Sequence, residues 1–212
     1  MASSIPGPLG VGANKPVIDK GTMALTNSPL PGRIGIHVSP SVNIKSRSLT
    51  KGEVDIASAL FRDSIDYSKV RVHNEEYLPF GWQDDDTAMT PNGEMYFNSK
   101  HFKFDYSMES DSYKLWFIHE MGHVWQYQLG YGVKRAGLTT DYSDKKTYAY
   151  DIKADAGKTL ADFNFEQQCE LFKDYYDAQF LGNAPLLDKK YFLVNVLYEF
   201  LENPKNEKLL PK

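Results

Sequence analysis

The pentapeptide His119-Glu120-Met121-Gly122-His123 constrains this chain more than any other stretch. It lies within Trp116–Gln128, whose apolar spacing is helical. On a 3.6-residue wheel Leu115, Ile118, Gly122, Trp125 and Leu129 make one apolar stripe, with His119, Glu120 and His123 along its border. Trp116, Phe117 and Val124 add apolar bulk, so the helix is expected to be buried. Residues i and i+4 leave a helix on the same face, which lets two imidazoles share one tetrahedral Zn²⁺. Glu120 leaves on an adjoining line, which suits a carboxylate that takes a proton from an activated water. The competing reading is a helix with two surface histidines and a solvated glutamate. The flanks argue against it, because titratable groups at the edge of a core need partners.

The rest of the composition narrows the class. With 212 residues the chain is long enough for one domain with a sizeable core. The 14 Tyr, 12 Phe and 3 Trp exclude a disordered polar chain. Net charge is −4 with both signs interspersed, and no basic patch points to nucleic acid. The start, MASSIPGPLGVGANKP, has neither the basic nor the apolar region of a general secretory signal. No apolar run approaches the roughly 20 residues of a membrane span. The single cysteine, Cys169, leaves no internal disulfide framework, as in a chain made in a reducing cytoplasm. Action outside the cell would then require another export route.

Residues 1–33 are rich in Pro, Gly and Ser and read as a flexible linker or arm, with one domain over 34–212. Thr50-Lys51-Gly52-Glu53 is a capping box that predicts a helix to about residue 63. Val70–His73 reads as a short strand. Thr87–Thr90 and Glu94–Phe97 flank Pro91-Asn92-Gly93 as a hairpin, and Glu94–Phe97 is expected to be an edge able to bind an extended peptide. The motif helix should start at Ser110 or Asp111 and end at Gly130. Residues 131–160 look irregular, with a strand over Thr147–Ile152. Asn164 caps a helix to about Leu181 with the stripe Phe165, Cys169, Phe172, Tyr176 and Phe180. Asp188 caps another, stopped by Asn203-Pro204. The pattern predicts an α+β fold, mostly helical, with a small sheet or hairpin before the motif helix.

A catalytic zinc takes three protein groups and a water. Gln126 and Leu129 stand where an extended H-E-x-x-H-x-x-G-x-x-H motif needs glycine and histidine. A later glutamate is the remaining common solution. Glu166 is the leading candidate, in the first turn of the helix after Asn164 and bordering its aromatic stripe. Glu170 is the rival, or else an acceptor for a ligand imidazole N–H. Asp155, Asp162 and Asp174 stay open, while His73 and His101 read as structural and Cys169 as core. Tyr148 and Tyr150 are candidate oxyanion donors, with ordinary packing as the alternative, and Tyr150 is carried forward as the catalytic one. Two imidazoles and a carboxylate suit Zn²⁺, though Mn²⁺, Co²⁺ or Ni²⁺ fit the same cage.

The runs LWFIHEMGHVWQYQLG, YAYDI and DFNFEQQCELFKDYY resemble the metallopeptidase domain at the C-terminal end of some VgrG spike proteins of bacterial type VI secretion systems. The upstream stretch DSIDYSKVRVHNEEYLPFGWQDDDTAMTPNGEMYF is similar too, so the likeness spans roughly residues 45–180. On this resemblance His119, His123 and Glu166 match the family's ligands and Glu120 its catalytic glutamate. It implies a zincin-like metallopeptidase domain over 34–212, of the glutamate-ligand (gluzincin) class, acting on peptide or protein. It also implies an antibacterial toxin that associates with type VI spike components, is delivered into a target cell's periplasm and is neutralised by an immunity protein. The 212 residues themselves include no spike module, a departure from the spike-fused members. Competing readings are a hydrolase of peptidoglycan peptide bridges, a binding module with a closed structural zinc, and a cytoplasmic housekeeping peptidase.

Overall fold

The structure is a computed structural model that describes residues 44–77, 87–183 and 185–212. The arm expected over 1–33 and its boundary at 34 lie outside the described residues. The fold is α+β. A four-stranded sheet is built from β1 (Ser46–Ser48), β2 (Arg71–His73), β3 (Ala88–Met89) and β4 (Met95–Phe97). The helices are α1 (Lys51–Phe61), α2 (Asp111–Gln128), α3 (Val133–Thr139), α4 (Phe165–Tyr176), α5 (Leu187–Val196) and α6 (Tyr198–Glu202). Among the described residues no helix is long and apolar enough to cross a membrane.

The expected capping box starts α1. Thr50 Oγ1 accepts from the Glu53 N–H at 3.1 Å, and Glu53 accepts from the Thr50 N–H at 2.9 Å. Glu53 does more than cap. Fully buried, it takes both arms of the Arg47 guanidinium from β1 at 2.7 Å each and the Tyr106 N–H at 2.8 Å. One carboxylate thus ties β1, α1 and the turn Tyr106–Met108 together.

The sheet order is β1-β2-β4-β3, with β2 and β4 parallel and the outer pairs antiparallel. The hairpin is as expected, but the edge is not. β4, which contains Met95–Phe97 of the expected edge, is bonded on both sides, so it has no free ladder for a peptide. Among the described residues the edge on that side is β3. Met95 and Phe97 point into the core, while Tyr96 stacks on His73 with ring centroids 4.2 Å apart.

Helix α2 runs through the centre, burying Phe117, Ile118, Met121, Val124 and Trp125. It packs along α4, and Gly122 is the reason the two come so close. A Cβ there would meet Cys169 Sγ at 2.7 Å and the Phe172 ring at 3.2 Å. Phe172 in turn meets Phe61, Trp125 and Phe200 at centroid separations of 5.3, 5.2 and 4.6 Å. This aromatic cluster fixes the α2–α4 register, and with it the border residues of both helices.

Three boundaries differ from expectation. The region after α2 contains α3. Thr147–Ile152 is not a strand, and two of its carbonyls are taken by side chains from the start of α4. Gln167 Nε2 donates to Ala149 O at 2.6 Å, and Asn164 Nδ2 to Thr147 O at 3.1 Å. Asp188 is not a cap. Leu186 holds that position and Asp188 sits in the first turn of α5, where its charge still suits the helix dipole.

Candidate metal centre

Asn164 caps α4 through the Gln167 N–H at 2.8 Å, while Gln167 closes the reciprocal bond. Glu166 is therefore free to turn inward toward α2. Its Oε2 lies 3.1 Å from Nε2 of His119 and 3.1 Å from Nε2 of His123. All three residues are buried, at 4%, 8% and 5% exposure respectively. The edges of a tetrahedron with bonds of about 2.0 Å are about 3.3 Å, so these spacings fit a shared divalent cation. Glu120, 3% exposed, accepts from Thr90 Oγ1 at 2.6 Å, which leaves its other oxygen available.

The far nitrogens of both rings face acceptors. Nδ1 of His119 lies 3.0 Å from Glu170 Oε1, and Nδ1 of His123 lies 3.0 Å from Gln126 Oε1. An N–H on Nδ1 of each ring leaves the Nε2 lone pairs aimed inward, the form a metal ligand takes. Glu170 thus stands behind His119, and it is held in turn by Lys173.

Burial pushes the His119 imidazole down, but hydrogen bonds with Glu166 and Glu170 outweigh it and raise the pKa to about 10. Burial likewise lowers His123, and the charge of Glu166 more than reverses this. Burial would raise Glu166, yet the charges and hydrogen bonds of His123 and His119 hold it well below the carboxylate range. Without a metal, the cluster compensates its own charge by keeping protons on the imidazoles.

Cys169 is the other donor nearby. Its sulfur and one nitrogen of each histidine lie within 4.8 Å of one another. The sulfur is 3.4 Å from His123 Nδ1, the nitrogen turned away from Glu166. Burial, then the charges of Glu166, Glu120 and Glu170, push its thiol well up. Of the two, Glu166 is the one that faces the Nε2 atoms of both rings.

The Tyr150 hydroxyl donates to Asp174, which also pairs with Lys189 at 2.8 Å, and its ring stacks on Phe192 at 5.5 Å. Tyr148 comes nearer, its ring 6.3 Å from that of His119. Tyr142, unremarked in the sequence, faces Glu166. Burial, then the charges of Glu166 and Glu120, raise its phenol, and its oxygen lies over Gly137, where a Cβ would stand only 3.0 Å away. Sequence reasoning also missed Thr90, Gln126 and Gln168. Gln126 had a signal, three residues beyond His123 on the same helix. Thr90 and Tyr142 reach the site only through tertiary folding. His73 and His101 lie outside it. His73 pairs with Glu94 at 2.7 Å, and His101 Nδ1 lies 3.2 Å from the Tyr113 hydroxyl.

Fold and site together define an α+β domain with a buried pair of histidines and a carboxylate at a helix–helix contact. No family model matches the chain. The type VI secretion system spike protein VgrG2b of Pseudomonas aeruginosa is 42% identical over 135 residues, which are 61% of this chain and 13% of that protein. The solved effector domain of Pseudomonas aeruginosa VgrG2b is similar at 34% identity and a TM-score of 0.56, over 77% of this chain and 87% of that domain. The chain belongs to the family of VgrG-related type VI secretion effector domains.

Proposed function

We propose that this chain is a zinc-dependent metallopeptidase of the glutamate-ligand class, with a zincin-like fold over 34–212. The observation that carries the proposal is the convergence of His119 Nε2, His123 Nε2 and Glu166 Oε2 in a buried cluster beside Glu120. His119, His123 and Glu166 would hold the ion, which when bound supplies Lewis acidity toward a peptide carbonyl and an acidic water. Glu120 accepts the proton of the attacking water and returns it to the leaving amine. Thr90 orients the Glu120 carboxylate for both transfers. Tyr148 and Tyr142 stand nearer than Tyr150 as donors toward a developing oxyanion. An extended substrate would add to the β3 edge.

Membership of a spike-related effector family supports an antibacterial role. In this reading the chain associates with type VI spike components, is carried into a target cell's periplasm and is held inactive in the producer by an immunity protein. The purified full chain should contain one zinc per molecule by elemental analysis and cleave a denatured protein. Glu120→Gln should keep the zinc and lose about 10²–10⁴-fold in rate, and His123→Ala should lose the zinc. An unchanged rate in the Glu120 variant removes the mechanism. Cleavage of purified sacculi but not of denatured protein would redirect the substrate to peptidoglycan peptides.

A further inference from the structure

We propose that Gln126 and Gln168 are positioning residues whose amides fix His123 as the Nδ1–H tautomer and so set how tightly the site holds a divalent cation. The inference rests on the metal reading above but concerns side chains outside the ligand set.

Both glutamines are fully buried, so each amide end must match its neighbours. The Gln168 NH₂ donates to two backbone carbonyls, Leu160 O at 2.8 Å and Leu209 O at 2.9 Å. Carbonyls only accept, so the orientation of this amide is forced, and its Oε1 faces Gln126. The Gln126 NH₂ then donates to Gln168 Oε1 at 3.0 Å and to Phe165 O at 2.9 Å. That leaves Gln126 Oε1, a pure acceptor, 3.0 Å from His123 Nδ1. A flipped Gln126 would set its oxygen against two acceptors in a dry interior and leave all of them unsatisfied. The Cys169 sulfur lies 3.4 Å from Nδ1, but its weak S–H can turn to Gln126 Oε1 at 3.9 Å, and a bare Nδ1 would still face the Gln126 oxygen as one acceptor against another.

The choice therefore passes from two main-chain carbonyls through two amides to one imidazole. Nδ1 must carry hydrogen, and Nε2 is the atom left to ligate. The relay also spans the ligand helices. Phe165 immediately precedes Glu166, so the amide that sets the His123 ring grips the start of α4 as well. A neutral relay suits this position, because a third carboxylate beside Glu166 and Glu120 would be a buried charge without a partner. His119 uses a different device, the partly exposed and lysine-paired Glu170.

The test uses the ¹⁵N-labelled full chain, with and without Zn²⁺. Long-range ¹H–¹⁵N spectra read the imidazole protons, and competition with a chromophoric chelator reads zinc affinity. In the wild type His123 should show a protected Nδ1–H. Gln126→Leu should lose that protection against solvent exchange and weaken zinc about 10–100-fold. Gln168→Leu, which keeps the direct His123–Gln126 contact, should move both readouts the same way by less. An equally protected Nδ1–H in Gln126→Leu with affinity within about twofold of wild type overturns the proposal. If that variant does not fold, an unshifted Gln168→Leu overturns it instead. A wild type that binds no zinc would end the metal reading, while the exchange protection of the His123 Nδ1–H in metal-free protein still judges the relay.

Discussion

Glu53 and Glu166 are both buried carboxylates in the first turn of a helix, where the dipole favours negative charge. They are held in different ways. Glu53 receives the Arg47 fork and the N–H groups of Thr50 and Tyr106, which fill the roughly four acceptor sites of a carboxylate. Nothing about it asks for a ligand. Glu166 has ceded the capping task to Asn164 and Gln167 and meets two imidazoles instead. Those rings act as donors only while protonated. A carboxylate with permanent donors is a structural lock, whereas one whose donors can be replaced by a cation is a site.

Exchanging the two defects gives the largest effect. Glu53→Ala leaves Arg47 without its partner and should cost about 3–5 kcal/mol of folding stability, the range for breaking a buried ion pair. What remains folded should keep its zinc. Glu166→Ala should do the reverse, losing stoichiometric zinc and activity at a smaller cost in metal-free stability, because the two imidazoles left behind can give up their protons and Arg47 cannot. Chemical denaturation and elemental analysis of both variants check this. Zinc retained in Glu166→Ala, and lost instead in Cys169→Ser, would move the third ligand to the sulfur.

The same contrast predicts a pH effect. The folded-state pKa of His119, about 10, lies above its ordinary 6.5. A group raised in this way stabilises fully below its unfolded value and loses that contribution as pH rises through the folded one. Metal-free protein should therefore be more stable at pH 6 than at pH 9. Zinc must displace the Nε2 protons, so its binding should strengthen over the same interval. Denaturant midpoints with and without zinc should slope in opposite directions with pH. Parallel slopes would mean that the imidazoles are not the metal's ligands.

The sequence made the two histidines and Glu120 legible because one helix turn carries them. Glu166 was legible because its place on the α4 stripe mirrors that of His119 on α2. The Thr50–Glu53 cap and the α2 and α4 boundaries are local, and local rules suffice for them. What failed was non-local. Whether β4 is an edge depends on β2 pairing with it across more than 20 residues. Thr147–Ile152 alternates like a strand, but two of its carbonyls belong to Asn164 and Gln167. Tyr150 lies in the expected segment, yet Asp174 and Phe192 claim its hydroxyl and ring. Arg47 gave no hint of its bond to Glu53, since its partner already satisfied a capping rule.

The smallest predicted effect concerns Thr90, the residue after the β3 edge. Its hydroxyl reaches Glu120, 30 residues later in the chain, in a buried bond of 2.6 Å. The bond is to the reacting carboxylate and not to a metal ligand, so Thr90→Val should leave zinc content unchanged. A hydrogen bond to a charged group contributes about 1.5–3 kcal/mol. If that orientation matters in the transition state, kcat should fall about 10–150-fold. KM should move little if substrate adds to the strand's backbone as proposed, since this hydroxyl would not touch it. Thr90→Ser, which keeps the donor, should recover most of the rate. A Thr90→Val enzyme with full kcat would assign the bond to packing alone and place Thr90 with Glu53 among the structural locks.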